Sequence, residues 1–472
     1  MQEGHEWNPK FKNHIWDGQI RLFKLNEHTL SLGLIPELLL WAKREKLTVE
    51  MEPEVKKRVY NNSYNEKEVN DYLDSLNIVL DNGTKIEFWE EQRFAVHIAI
   101  KYGRTLLQSP TSTGKSLIAF TLIEWYLRQN LEGQFLLTVP GISLVGQMAD
   151  NFIEYMTDDC ILKPEDIHQI YDNSEKNTNH KLTISTWQGI YKLPQTWFER
   201  FTFSILDEAH LAKGKSLQLV HDKLVNAKYR IGMTGTLDGT QVHKLIVEGC
   251  TGRTNIITTN KKMMDQGKTT PIKISSVMFD YPHEESFAIK GFTYQEEMKY
   301  ITVHEKRAKM LSQLCQRTKG NTLVLFNNIN HGEALFEQFR IDAKGKEIYL
   351  LYGKHDTNQR KEVIDIMEAQ DNVIVLASYG IFSTGVSINN IMNVVLGSPT
   401  KSRIRLLQSI GRGLRLAKNK KFVRLFDIID DFTYLKRGGK NTHENYAYKH
   451  AIERLSIYVS EEFDYKISRI KL

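Results

Sequence analysis

The sequence has 472 residues, 25% of them charged and 41% hydrophobic, with a net charge of +6. Those values fit a globular chain of two to four domains. The three cysteines, Cys160, Cys250 and Cys315, are too far apart in the chain for a disulfide framework or a close-spaced zinc site. No apolar run reaches the roughly 18 residues that cross a membrane. Gly33 to Ala42 comes nearest and is interrupted by Glu37. No basic region followed by an apolar core marks a leader, so a cytoplasmic chain with reduced thiols is expected. Charge is unevenly placed: residues 401–472 hold 17 Lys and Arg against 8 Asp and Glu. That balance suits a polyanionic partner, although single lysines there can equally belong to solvated helix faces.

From the N-terminus, Asn8 to Phe23 alternates apolar and polar residues about Asp17-Gly18, which predicts a hairpin or short sheet. Ile35 to Lys46 has the spacing of an amphipathic helix, and the charged stretch Glu50 to Asn70 reads as a connector. Together they form a small accessory module over residues 1–80. Basic Lys10, Lys12 and Arg21 sit near Trp7, Trp16 and Phe23 there, and Trp16 can serve a core or stack on a base.

From about Asn82 strands and helices alternate. Strands are predicted at Thr105–Leu107, Phe135–Val139, Leu182–Ser185, Phe203–Leu206 and Tyr229–Met233, which implies a parallel sheet with crossovers. The apolar run Leu106-Leu107 leads into Ser109-Pro110-Thr111-Ser112-Thr113-Gly114-Lys115-Ser116 and then a helix. That is a phosphate loop. Its small residues let backbone N–H groups crowd a triphosphate at a helix N-terminus, Lys115 can reach the outer phosphates, and Ser116 can ligate Mg²⁺. Ser109 replaces the usual first glycine. Gln92, shortly before the loop, is placed to read an adenine edge.

Phe203-Ser204-Ile205-Leu206-Asp207-Glu208-Ala209-His210 follows. A strand delivers two carboxylates at its C-terminal end, where open α/β sheets bind ligands. Asp207 can hold Mg²⁺ and Glu208 can deprotonate the attacking water. Thr234-Gly235-Thr236 closes the next strand and could couple hydrolysis to movement.

The alternation restarts after Thr258 to Ser275, with strands predicted at Thr322–Phe326, Glu347–Leu351, Val373–Ala377, Val394–Leu396 and Val423–Ile428. No phosphate loop accompanies them. Ser378 to Ser387 is a small-residue loop, and Gln408-Ser409-Ile410-Gly411-Arg412-Gly413-Leu414-Arg415 puts Arg412 and Arg415 on one helix face with Gln408 one turn earlier. Such arginines can stabilise charge developing on a γ-phosphate. Glu444 to Leu472 reads as a terminal helix. The expected fold is α/β: two tandem RecA-like parallel-sheet lobes at 81–262 and 263–443, the N-terminal α+β module, and a C-terminal helix at 444–472, with the nucleotide between the lobes.

The phosphate loop, Asp-Glu-Ala-His, Thr-Gly-Thr and Gln-x-x-Gly-Arg-x-x-Arg, in this order, resemble the superfamily-two helicases. More closely, Asn8–Leu22, the Thr293-Tyr294-Gln295-Glu296-Glu297 stretch and Ala377–Gly385 resemble the UvsW family of phage recombination helicases, over nearly the whole chain. The resemblance implies an ATP- and Mg²⁺-dependent enzyme that unwinds and branch-migrates junctions, R-loops and forks, and a monomer is expected. It would act on DNA, or on RNA in hybrids, alongside single-stranded-DNA-binding or recombination proteins. It adds His210 to the catalytic set and Gly385 to the nucleotide contacts. It also implies nucleic-acid contacts at Pro140, Gly141, Thr186, Trp187, Ser378, Tyr379 and Thr384. Glu91 replaces the aromatic residue that normally precedes the adenine-reading glutamine, leaving Phe88 or Trp89 to stack on the base.

Overall fold

Short β-branched and aliphatic runs joined by helices must pair in parallel and be covered on both faces, because each crossover lays a helix on the sheet. A computed structural model of the chain describes every residue except 1–5, 7–8, 60–63, 172–173, 178, 354, 356, 384–387, 401, 403–405, 408–410, 412–419 and 436–441. The chain divides into two compact units, Met1–Thr258 and Thr259–Leu472.

The first unit begins with an antiparallel hairpin of β1 (Phe23–Lys24) and β2 (Thr29–Leu30). The hairpin expected over Asn8–Phe23 is therefore displaced. Pro9–Lys12 is instead one helical turn, and Asp17 closes its own loop by accepting from the Gln19 amide, 3.1 Å, and pairing with Arg21. The supposed connector holds two helices, Pro53–Val59 and Glu66–Ser75. Val69, Tyr72 and Leu73 of the second are buried in the core of the following sheet, and the Tyr72 hydroxyl donates to the Thr121 carbonyl, 2.9 Å.

That sheet has seven parallel strands: β3 (Arg104–Gln108), β4 (Gln134–Val139), β5 (Ile167–Ile170), β6 (Leu182–Thr186), β7 (Phe201–Leu206), β8 (Tyr229–Thr234) and β9 (Thr254–Ile256), in the order β5-β6-β4-β7-β8-β3-β9. The second unit supplies β10 (Ile272–Asp280), β11 (Thr322–Phe326), β12 (Ile348–Leu351), β13 (Ile374–Ser378), β14 (Asn393–Leu396) and β15 (Val423–Asp431). A short antiparallel pair, β16 (Tyr434–Leu435) with β17 (Thr442–His443), follows. The C-terminal helix spans Tyr446–Ser460 and does not end the chain: β18 (Asp464–Lys471) returns to lie parallel beside β10. The second sheet runs β12-β13-β11-β14-β15-β10-β18, all parallel. Counted along the chain within each unit, both sheets have the same order, third-fourth-second-fifth-sixth-first-seventh.

This order decides where chemistry can occur. In the first sheet β3, β8 and β7 are adjacent, so the loops after these three strands share one edge. In the second, the corresponding end of β10 leads to Tyr281, whose ring stacks on Phe432 at 3.7 Å between centroids, and to Pro282 and the helix His283–Ala288. Two ion pairs, each buried in this unit, brace β15: Arg307 with Asp430 at 2.7 Å and Arg454 with Asp427 at 2.7 Å. Arg454 also donates to the Thr400 carbonyl, 2.8 Å, tying the C-terminal helix to the segment after β14.

Candidate active site

β3 ends at Gln108, and Ser109 to Gly114 turn the chain into the helix Lys115–Arg128. The turn needs two left-handed residues, Ser112 at φ +69° and Gly114 at φ +76°. A Cβ at Gly114 would also lie 2.5 Å from the Gln92 amide nitrogen, so any other residue there would push that side chain aside. Ser109 is buried, its amide donates to the Thr234 carbonyl, 2.9 Å, and its hydroxyl accepts from the Thr113 hydroxyl, 3.0 Å. The serine that departs from the usual glycine thus latches the loop to itself and to β8. The Lys115 ammonium lies over the loop, donating to the Ser109 and Pro110 carbonyls at 3.3 and 3.1 Å. Ser116 shares a hydrogen bond with the Tyr155 hydroxyl, 3.1 Å.

Gln92 is buried in the same cluster. Its carbonyl accepts from the Trp89 amide, 2.9 Å, and its amide donates to the Thr113 carbonyl, 3.0 Å. One N–H beyond that bond is what it can offer a base. Trp89 and Phe88 are half-buried beside it, and Phe88 packs on the sheet core.

Two strands away, Asp207 follows β7, with its amide held by the Thr138 carbonyl, 2.9 Å. Burial, and then the charge of Glu208, lift its carboxyl to about 7, while Lys115 and His210 pull it down. Oδ1 of Asp207 is buried and accepts no hydrogen bond among the described residues. An orphaned carboxylate oxygen facing a lysine is the donor that a hydrated Mg²⁺ requires, so Asp207 and Ser116 fit a metal–nucleotide. Glu208 sits in the left-handed region, φ +50°, and contacts His210 at 3.1 Å.

His210 is the hub. Its Nδ1 meets the Thr234 hydroxyl at 3.0 Å, and that hydroxyl reaches the Thr236 carbonyl at 3.2 Å. His243 Nε2 lies 2.6 Å from the His210 carbonyl, and His243 Nδ1 lies 2.9 Å from Asp238. A continuous polar chain therefore runs from Glu208 through His210 to Thr234, and through His243 to Asp238. Sequence reasoning placed Glu208, His210, Thr234 and Thr236 but missed His243, Asp238 and Tyr155. None of the three belongs to a phosphate-loop or carboxylate motif; Asp238 lies two residues past Thr236, and the fold brings His243 and Tyr155 near.

Residues 42–239 match the family model for the type III restriction enzyme res subunit, residues 305–417 the helicase conserved C-terminal domain, and residues 1–52 the N-terminal region of DNA helicase UvsW. Over its whole length the chain is 33% identical to the ATP-dependent DNA helicase UvsW of Enterobacteria phage T4, covering 93% of that protein. The chain belongs to the UvsW helicase family. The crystal structure of T4 UvsW aligns with 100% of this chain and 93% of that one at 30% identity and a TM-score of 0.49. Dbp5 of S. cerevisiae, bound to RNA and ADP BeF3, aligns with 81% of this chain and 94% of its own at 14% identity and a TM-score of 0.52, a likeness of fold.

Of the remaining site residues expected in this UvsW-family chain, Pro140 and Gly141 follow β4 at the half-exposed start of the helix Ile142–Tyr155. The Thr186 hydroxyl caps the turn after β6 by accepting from the Gly189 amide, 3.2 Å, and Trp187 is buried in the core against the sheet. In the second unit, Ser378 ends β13 and Tyr379 is buried in the core. Thr384, Gly385, Gln408, Arg412 and Arg415 lie outside the described residues. No helix among the described residues is long and apolar enough to cross a membrane.

Proposed function

We propose that the chain is an ATP-dependent DNA helicase that unwinds and branch-migrates forked or branched DNA, with the phosphate loop, Asp207-Glu208 and Thr234 as its hydrolytic edge. The observation that carries the reading is the adjacency of these three groups on neighbouring strand ends, joined by the Glu208–His210–Thr234 contacts. Lys115 exchanges its loop carbonyls for the outer phosphates. Glu208 takes a proton from the water that attacks the γ-phosphorus, the bond from that phosphorus to the bridging oxygen breaks, and ADP keeps the electron pair. Ser116, and Asp207 through water, would hold Mg²⁺, which would supply charge neutralisation at the phosphates. Gain or loss of the γ-phosphate at Glu208 alters the His210 contact and hence Thr234, which is how hydrolysis would reach the nucleic-acid contacts. Arg412 and Arg415, with Gln408 and Gly385, are assigned to the same phosphates. Pro140, Gly141, Thr186, Trp187, Ser378, Tyr379 and Thr384 are assigned to the strand backbone, which gives grip without sequence preference.

The test is ATPase rate with single-stranded, duplex and forked DNA and with RNA as stimulants, alongside strand displacement on a fork. Stimulation greatest by forked DNA, with displacement that needs hydrolysable ATP, is expected. Stimulation by RNA alone overturns the DNA assignment, and turnover without displacement overturns the helicase assignment.

A further inference from the structure

The end of β3 opposite the phosphate loop carries a second cationic recess. Arg104, which opens β3, is in direct register with Arg230 of β8. Like charges opposed on neighbouring strands repel, and no carboxylate lies within ion-pair distance of either among the described residues. Their donors go to carbonyls instead: Arg104 to Ala227 at 2.7 Å, and Arg230 to His221, Leu224 and Ala227 at 3.0, 2.5 and 3.3 Å. Arg104 is 9% exposed and its Nε has no hydrogen-bond partner among the described residues; His221 is 3% exposed and neither of its ring nitrogens has one among them. With exposed Arg58 of the helix Pro53–Val59, these residues line a cavity of about 230 Å³. Asp222, at its rim, is the only carboxylate in the lining.

Burial, Arg230 and Arg104 push His221 down to about 3, so the imidazole is neutral, and Asp222 is the one carboxylate in the lining set against three arginines. Buried guanidinium groups without a counter-charge are costly unless an anion completes them. Leu32 and Arg104 also line a second cavity of about 350 Å³, walled by Pro36, Leu39, Val59 and Tyr102, whose charged members are all cationic. A tight seam joins the two cavities: a Cβ on Gly33 would lie 1.9 Å from the Glu248 carbonyl oxygen, so residues 31–34 rest directly on the helix Gln241–Cys250.

We propose that this seam binds a phosphate monoester, its phosphate held by Arg58, Arg104 and Arg230 with His221, and its apolar body in the adjoining cavity. Guanidinium forks match phosphate oxygens bidentately, and the apolar walls exclude water from the pair. The monoester is either a free compound or the 5′-phosphate of a nucleic-acid strand. The site is independent of ATP hydrolysis.

Full-length protein carrying Lys115→Ala, which removes the loop lysine as a competing phosphate ligand, is titrated with phenyl phosphate, inorganic phosphate and phenol while the His221 ring signals are followed by NMR. Phenyl phosphate is expected to shift them and to bind at least tenfold more tightly than inorganic phosphate or phenol. Adding Arg58→Glu, at an exposed position, should weaken phenyl phosphate at least tenfold with an unchanged melting temperature. A 5′-phosphorylated oligonucleotide that displaces phenyl phosphate, where its unphosphorylated twin does not, assigns the monoester to a strand end. Failure of both oligonucleotides to displace it assigns a free ester. No response of His221, or equal affinity in the Arg58→Glu protein, overturns the site.

Discussion

Lys115 and Glu208 serve different stages of one reaction, so their substitutions should separate. Lys115→Ala removes the charge on the outer phosphates, and ATP affinity and turnover should both collapse. Glu208→Gln keeps the shape and the loop but cannot accept a proton. It should bind ATP normally and lose about 10²–10⁴ in turnover, the usual worth of a general base. Equilibrium nucleotide binding beside steady-state ATPase tells the two apart, and normal stimulated turnover in either variant would sink the assignment. Arg412→Ala, acting on γ-phosphate charge, is expected to lower turnover by about 10³ or more with little change in DNA affinity; the opposite pattern would move it to the DNA track. At this scale the sequence was legible wherever spacing within one loop or strand end carries the chemistry, as in Ser109–Ser116 and Asp207–His210. It was silent on His243 and Tyr155, because neither belongs to a local pattern and each reaches the site only across the fold.

Elements were legible where a strand is a continuous apolar run. Most central strands are such runs and were placed within a residue or two, although Val423–Asp431 runs three residues past the expected Ile428; the mostly buried Ile272–Asp280, interrupted by Lys273 and two serines, and the edge strands Thr254–Ile256, Ile167–Ile170 and Asp464–Lys471 escaped notice. The last of these was mistaken for helix because its exposed face leaves only a weak period-two signal. What secures these elements predicts their failure. Arg454→Met strands the buried Asp427 carboxylate and should cost the second unit about 3–5 kcal/mol, seen as a lower midpoint in chemical denaturation; adding Asp427→Leu should restore most of it. Acid should act through His331, held down to about 3 by burial and by Arg307. An unfolded histidine titrates near 6.5, so between those values the unfolded chain binds the extra proton. The stability from His331 is complete above about pH 6.5 and falls by up to about 1.4 kcal/mol for each pH unit below it. Denaturation midpoints from pH 7 to 5 should follow that sign, and a His331→Asn variant should show a shallower slope.

For the whole molecule, the N-terminal region does not behave as one appendage. The described residues before the hairpin are exposed for the most part, but Gly33 and the helix Glu66–Ser75 are built into the first unit. Deleting residues 1–30 should leave a folded protein with its single-strand-stimulated ATPase and with reduced binding to forks. Deleting residues 1–80 removes Val69, Tyr72 and Leu73 from a core and should cost several kcal/mol, since truncating one such side chain costs about 2–5. Thermal melts of the two truncations, compared before any DNA assay, check this; a stable 81–472 fragment would contradict it.

The shared strand order of the two sheets has a consequence for how many fuel molecules one chain can use. Two halves laid out on one plan would have offered two equivalent nucleotide inlets. In the second sheet no phosphate loop follows the matching strand, and that strand end leads instead to Tyr281 lying flat on Phe432. One ATP per chain is therefore expected, and titration of the protein with nucleotide at equilibrium checks it. Opening a second inlet would mean unstacking that aromatic pair and, with it, the Asp430–Arg307 clasp to which Tyr281 is hydrogen-bonded at 2.8 Å.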